Sequence, residues 1–270
     1  MKRFVLAGVL LVVLGTPVWA GVVIEMEGVV SESGGEAGTD MIYAQGKMLR
    51  MDPHESRGGQ ASMIFRGDEL LIVDRDKNRC QKIDERGVRE LSEQLGGAMK
   101  QMEEQLAQLP PEQRKMMEKM MKDRMPPGMG QEAPPRRVEK GDTEQIGDYT
   151  CVVHTLYSGD DKVWEVCSAK ESAVSAFTEA MEGFRAMSDF TEQLREMAMR
   201  GPFANMFQTP FSDMDSIGGV PIRVRTFAHG QQQSESTLKS VSAKDLDDDF
   251  FTAPKGCKVK NLADEIKGGR

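Results

Sequence analysis

Six short β-type segments lie between Gly21 and Ile83, and this density of strands and turns constrains the fold more than any other feature. Residues 21–30 alternate, with Ile24, Met26 and Val30 on one side and Glu25 and Glu27 on the other, the pattern of a half-buried strand. Residues 40–44 and 47–52 read as a hairpin about Gln45-Gly46, with Leu49 and Met51 facing one way and Arg50 the other. Polar, glycine-bearing loops fill 31–39 and 53–60. Segments 61–65, 69–73 and 79–83 then form a meander that turns at Arg66-Gly67-Asp68 and at 74–78. Strands in such close succession imply an antiparallel, twisted sheet with one polar and one apolar face.

A further hairpin spans 146–170. Val152, His154 and Leu156 alternate with Val153, Thr155 and Tyr157, Ser158-Gly159-Asp160-Asp161 supplies the turn, and Val163-Trp164-Glu165-Val166 resumes the strand. Folding at Gly159 sets Cys151 opposite or nearly opposite Cys167, within reach of a cross-strand disulfide. The hairpin sits between two methionine-rich helical stretches and reads as the middle of a sheet on which they pack.

The first of those stretches begins after Glu85. Leu91, Leu95, Ala98, Met99, Met102, Leu106 and Leu109 recur at helical spacing. Pro110-Pro111 breaks the pattern and Pro111 can open a second helix, where Met116, Met117, Met120, Met121 and Met125 fill one broad face. Residues 86–126 therefore read as a helical hairpin inserted into the sheet, followed by a Pro/Gly-rich linker over 126–137 without core residues. In the second stretch, 172–200, Phe177, Met181, Phe184, Met187, Phe190, Leu194 and Met197 repeat every three or four positions. Gly201-Pro202 ends it, and the apolar loop 203–217 is expected to dock on a surface. Strands return at 220–227 and near 234–241, Leu246 and Phe250-Phe251 anchor a turn, and 261–270 reads as a polar tail.

Lys2 and Arg3 precede an apolar run over 5–15, and Val18-Trp19-Ala20 has small-residue cleavage geometry, so residues 1–20 are expected to be an export signal cleaved after Ala20. The uncharged run 4–21 sits at the short end for a membrane span, and no cysteine near Ala20 offers a lipid anchor. Export to an oxidising periplasm makes two disulfides the expectation for four cysteines, with three pairings open. Cys151 with Cys167 is the first choice, which leaves Cys80 with Cys257. The formal net charge of −8 becomes more negative when Lys2 and Arg3 are removed. An acidic chain with 6% aromatic residues argues against nucleic acid or an anionic membrane as partner. Residues 21–260 are long enough for one elaborated domain.

Little in the chain points to catalysis. His54, His154 and His229 are scattered over a loop, a strand and a turn, and no local motif supplies a nucleophile. Gly-rich phosphate loops and Cys-x-x-Cys are absent. Asp245 to Asp249 lacks the alternating ligands and central glycine of a calcium loop. The chain is expected to be a non-enzyme without a cofactor. Met116, Met117, Met120, Met121, Met125 and Met129 form a soft thioether set suited to Cu(I). No His or Cys joins them, and packing or lipid contact is the preferred reading. The apolar helix faces and sheet can make a filled core or a cavity for an acyl chain, and methionine suits a surface that re-packs around varied ligands or closes on itself when empty. Met99, Met102, Met117, Met121, Trp164, Phe177, Met181 and Phe184 are the candidate lining residues.

The succession MIFRGDELLIVDRDKNRCQKID, LPPEQRKMMEKMM, IGDYTC…VWEV and FFTAPKGCKV resembles an uncharacterised family of exported bacterial proteins similar in architecture to the LolA/LolB lipoprotein carriers. The resemblance covers most of 21–260 as an order of elements. It implies an α+β fold, an incomplete antiparallel β-barrel (LolA-like) with helices covering its open side and an apolar cavity between them. Cys80 and Cys257 stand where such sequences usually carry aromatic residues, which favours their pairing with each other. No residue-level ligand motif carries the carriers' function over. The fold pattern and the apolar helix faces give the expectation of a monomeric periplasmic carrier or sensor, in a Gram-negative bacterium, for a lipid, lipoprotein acyl chain or other hydrophobic ligand, touching an envelope partner at its periphery. Two other classes stay open: a methionine-rich copper-binding or stress protein, and an interaction module that docks a partner through the helical hairpin and the 203–217 loop.

Overall fold

The structure, a computed structural model, describes residues 21–30, 37–54, 61–116, 134–174, 177–198, 214–262 and 264. They form an α+β fold dominated by one open sheet of twelve strands. The first six strands are β1 (Gly21–Val30), β2 (Ala37–Gln45), β3 (Met48–Asp52), β4 (Ala61–Phe65), β5 (Glu69–Asp74) and β6 (Arg79–Asp84). Each pairs antiparallel with its predecessor, because short turns leave no other option. The second set is β7 (Arg136–Ile146), β8 (Tyr149–Ser158), β9 (Asp161–Ala169), β10 (Val220–Ala228) and β11 (Gln231–Lys244), again antiparallel in chain order. The two meanders meet at β1 and β11, in register from Gly21 opposite Lys244 to Val30 opposite Ser234 with one bulge. A last strand, β12 (Lys258–Asn261), lies parallel to β6 and makes the sheet mixed.

Two longer helices leave this sheet. Asp84 caps α1 (Glu85–Ala107), its carboxylate accepting from the Gly87 N–H at 2.7 Å. α2 (Thr178–Ala198) lies across β1, β2 and β3, and packs on α1. Its buried residues Ala180, Met181, Phe184, Met187, Phe190 and Leu194 follow the helical repeat. They join Val22, Ile24 and Met26 of β1, Leu49 of β3 and Phe65 of β4 in the main core. The alternate residues of the same strands and their neighbours, Tyr43, Met48, Ile64, Leu71, Val73 and Cys80, face the opposite side. A strap running from Lys244 to β12 covers them, burying Leu246 and Phe251 there. The strap is also fixed by Arg50, which donates to the Phe250 carbonyl at 3.0 Å and lies 4.5 Å above the Phe250 ring. The Cys80–Cys257 disulfide joins it to β6, and Cys151–Cys167 ties β8 to β9.

Several sequence expectations change. The 146–170 hairpin is not central, since β8 and β9 lie beside the β7 edge and the centre is β2-β1-β11. Part of the expected linker at 126–137 is strand: β7 begins at Arg136. Most of this edge strand is exposed and Val138 and Ile146 are its only large apolar residues, so RRVEKGDTEQI shows no apolar alternation. The expected tail also begins too early. Asn261 belongs to β12, donates to the Asp84 carboxylate at 3.0 Å, and is followed by buried Leu262. The purely antiparallel sheet becomes mixed for the same reason. Of the helical hairpin at 86–126, α1 and a helical turn over 111–116 are present, and the rest lies outside the described residues. So does most of the 203–217 loop; its last residues form a short helix, α3 (Met214–Ile217), with Ile217 buried.

Gly183 sets how closely α2 approaches β3. A Cβ there would lie 2.8 Å from Leu49 Cδ2 and 3.2 Å from the Gly46 carbonyl oxygen, and Leu49 is itself buried. The Gly183→Ala variant should therefore lose about 1–3 kcal/mol, the usual cost of overpacking. Urea unfolding checks this, and an unchanged midpoint would show that α2 does not sit tightly on β3.

Candidate functional site

Phe177, Met181 and Phe184 are buried in the main core, with the Phe177 and Phe184 rings stacked at a centroid distance of 5.6 Å. These three candidates converge under α2. Trp164 does not join them. On β8 and β9, Cys151, Val153 and Cys167 belong to the main core, whereas Leu156, Val166 and Trp164 on the alternate side form a separate cluster with Ile217 and Val224. Trp164 also carries the Arg136 guanidinium 5.5 Å from its ring. Met99 and Met102 lie on α1 but their side chains are outside the described residues, as are Met117 and Met121.

Charged side chains line two clefts among the described residues. One, of about 600 Å³, lies between α1 and α2 and is lined by Glu85, Arg89, Ser92, Glu93, Glu196 and Met197. The other, of about 620 Å³, lies between the strap, β3 and the end of β5, with Arg50, Arg75, Asn78, Phe250, Lys255 and Cys257 in its wall. Neither includes a candidate lining residue named from sequence.

The most connected polar feature is an ion network across β7 to β11. Glu165, with its side chain 12% exposed, accepts from Arg225 at 2.8 Å, Arg223 at 3.3 Å and Lys162 at 2.6 Å. Arg223 also meets Glu144 at 2.8 Å, and Arg225 meets Glu235 at 2.6 Å. Burial pushes the Glu165 carboxyl up, but Lys162 and Arg225 outweigh it and hold the group below the usual glutamate range. The Arg223 Nε is buried without a hydrogen-bond partner. Register explains why spacing does not reveal this network: Glu165 and its arginines are 58 and 60 residues apart and meet only through the β9–β10 pairing.

The histidines separate into different environments. Asp40 accepts from both the His54 backbone N–H at 2.9 Å and, across a 2.8 Å contact, the Nδ1 of its ring. His54 Nε2 is buried without a partner. Such an oriented imidazole suits a base or a metal ligand, yet the described residues hold no group of three or more His, Cys, Asp or Glu placed for a metal ion. His154 is buried on β8, where desolvation and then Lys140 push its pKa down.

Both shifts stabilise the fold at neutral pH and lose their effect in acid. His154 is depressed, so its contribution is complete above the ordinary histidine value and fades as pH falls below it. Glu165 is likewise depressed, and its contribution disappears lower, through and beneath the ordinary glutamate range. Glu165→Gln should flatten the acid limb of a stability–pH curve and cost about 2 kcal/mol at pH 7 by leaving Arg223 and Arg225 under-compensated. An acid limb identical to that of the native chain would remove Glu165 from this role.

No protein-family model matches the chain, and no curated protein matches it. Among solved structures, an uncharacterised conserved protein from Thermus thermophilus aligns over 90% of this chain and 91% of its own, at 7% identity and TM-score 0.44. PNGF-II aligns over 93% of this chain and 33% of its own, at 9% identity and TM-score 0.40. A LolA superfamily protein from Nitrosomonas europaea aligns over 86% and 89%, at 10% identity and TM-score 0.25. These likenesses are loose, and none assigns the chain to a family. No helix among the described residues is long and apolar enough to cross a membrane.

Proposed function

We propose that this chain is an exported, non-catalytic periplasmic protein that carries or senses a hydrophobic ligand, a lipid or a lipoprotein acyl chain, between α2 and the sheet. The two disulfides are consistent with an oxidising compartment. The observation that carries the reading is the make-up of the α2 contact. Met26, Met181 and Met187 lie buried beside Phe177, Phe184 and Leu49, with Met51 and Met197 at the margin. Unbranched thioethers re-pack at low cost, so this contact can close when empty and reopen around an acyl chain. The cleft between α1 and α2 and the one beneath the strap are both lined by charged groups, unlike this contact.

The half-open barrel form of the fold belongs to the same proposal. Strands from β6 to β8, ten neighbours in the sheet, supply residues to the single core that contains α2. Laid flat they would extend about 43 Å, several times the width of a helix, and a sheet curled about α2 brings them into one core more simply. In this arrangement residues 21–262 act as one domain, the protein works as a monomer, and an envelope partner is met at its surface.

Native mass spectrometry of the protein taken from its own cell envelope tests the reading. The expected result is a bound mass that disappears on organic extraction and is recovered as lipid. A chain bare of adducts in every preparation would sink the carrier. A copper adduct would replace the proposal with the thioether site.

A further inference from the structure

The two disulfides differ in access. Cys151 and Cys167 are both buried in the main core. Cys80 is equally buried, but its partner Cys257 is only half-buried and forms part of the wall of the cleft beside the strap. That cleft, about 620 Å³, opens between the strap, Arg50 on β3, and the end of β5 with the turn that follows it, at Arg75 and Asn78. Of the four cysteines, Cys257 is therefore the one with surface on a solvent-filled cleft, while the other three are fully buried.

What the bond holds also differs along the strap. Its first half is seated by Leu246 and Phe251, both buried, and by the Arg50 contacts to Phe250. The second half has little apolar anchorage. Pro254, Lys255 and Gly256 are exposed, and so are Lys258, Val259 and Lys260, the first three residues of β12. β12 has four register partners in a parallel ladder, and beyond them the segment is held by Asn78 donating to the Gly256 carbonyl at 3.0 Å, by Asn261 on Asp84, and by Leu262. Beneath it lies the backbone edge of β6, which β12 alone occupies among the described residues.

We propose that Cys80–Cys257 is a thiol–disulfide exchange site for a dithiol partner, and that its reduction releases residues 252–261 and bares the edge of β6. The partner's thiolate attacks Cys257 Sγ, a bond forms between those two sulfurs, and the Cys80–Cys257 bond breaks with its electron pair on Cys80, which takes a proton from solvent. The partner's second thiolate then attacks the mixed disulfide at its own sulfur and expels Cys257 as a thiolate, which is protonated in turn. The partner ends as a disulfide and this chain as two thiols, two electrons having moved. A bared β6 edge offers unpaired N–H and C=O groups to a strand from another chain. The inference stands whether or not α2 covers a ligand.

The test uses the oxidised full chain, with dithiothreitol as the dithiol, under native conditions. Alkylation mapped by mass spectrometry should show Cys80 and Cys257 labelled at least about tenfold faster than Cys151 and Cys167, as access governs exchange. Deuterium uptake should rise over 252–261 and in β6, with β1 and β11 unchanged. The paired variant Cys80→Ser with Cys257→Ser should give the same uptake pattern without reductant, at unchanged far-UV circular dichroism. Equal labelling of all four cysteines overturns the proposal, and so does a reduced or variant chain in which 252–261 stays as protected as in the oxidised protein.

Discussion

Everything else in this fold hangs on the pairing of β1 with β11. The first meander is local and could form from its own turns, whereas the second closes β9 on β10 across α2, and each alone leaves an open edge, at β1 or at β11. Ten residue pairs from Gly21–Lys244 to Val30–Ser234 close that edge and place Ile24 beside Val241 and Met26 beside Leu238. The seam makes one continuous apolar surface out of two, and on its β1–β3 part α2 buries Met181, Phe184, Met187, Phe190 and Leu194 together. Because its partners are more than two hundred residues apart, the seam carries a high loop-closure cost and forms only once both meanders exist.

The two faces are then finished by different means. On one, α2 supplies the apolar cover, and Gly183 lets it sit directly on Leu49. On the other, the chain beyond β11 crosses the strands as a strap with two buried anchors and a disulfide. Across β7 to β11 a small apolar cluster around Leu156, Val166 and Ile217 is joined by a charge network: Glu165 is shared by Arg223, Arg225 and Lys162, and burial of those groups is tolerable because each has an opposite charge in contact.

What was legible in the sequence follows from the range of the interactions. Strands β1 to β6 and β8 to β11 could be read because each is flanked by its own turn and shows alternation imposed by one buried face. β7 could not, since most of its residues are exposed and only Val138 and Ile146 pack on apolar neighbours, and β12 could not, since its partner β6 lies 177 residues away at Cys80 and Cys257. The strand order was also beyond local reading, which is why the 146–170 hairpin suggests a centre and stands near an edge. Of the candidate site, the helical period located Phe177, Met181 and Phe184 correctly on one buried face, but periodicity does not distinguish Trp164, which has apolar neighbours in sequence and the other side of the strand in space. The ion network was invisible because cross-strand register, not spacing, assembles it.

If the carrier proposal is right, α2 is a movable cover on a sheet held by the β1–β11 seam. Native-state hydrogen exchange measures this directly. The predicted result is that amides of 178–198 exchange through a partial opening, well before those of β1 and β11, and that a bound acyl chain changes their rate while the seam stays protected. If α2 exchanges only together with β1 and β11, through global unfolding, then α2 is a fixed part of the core and the carrier reading is wrong.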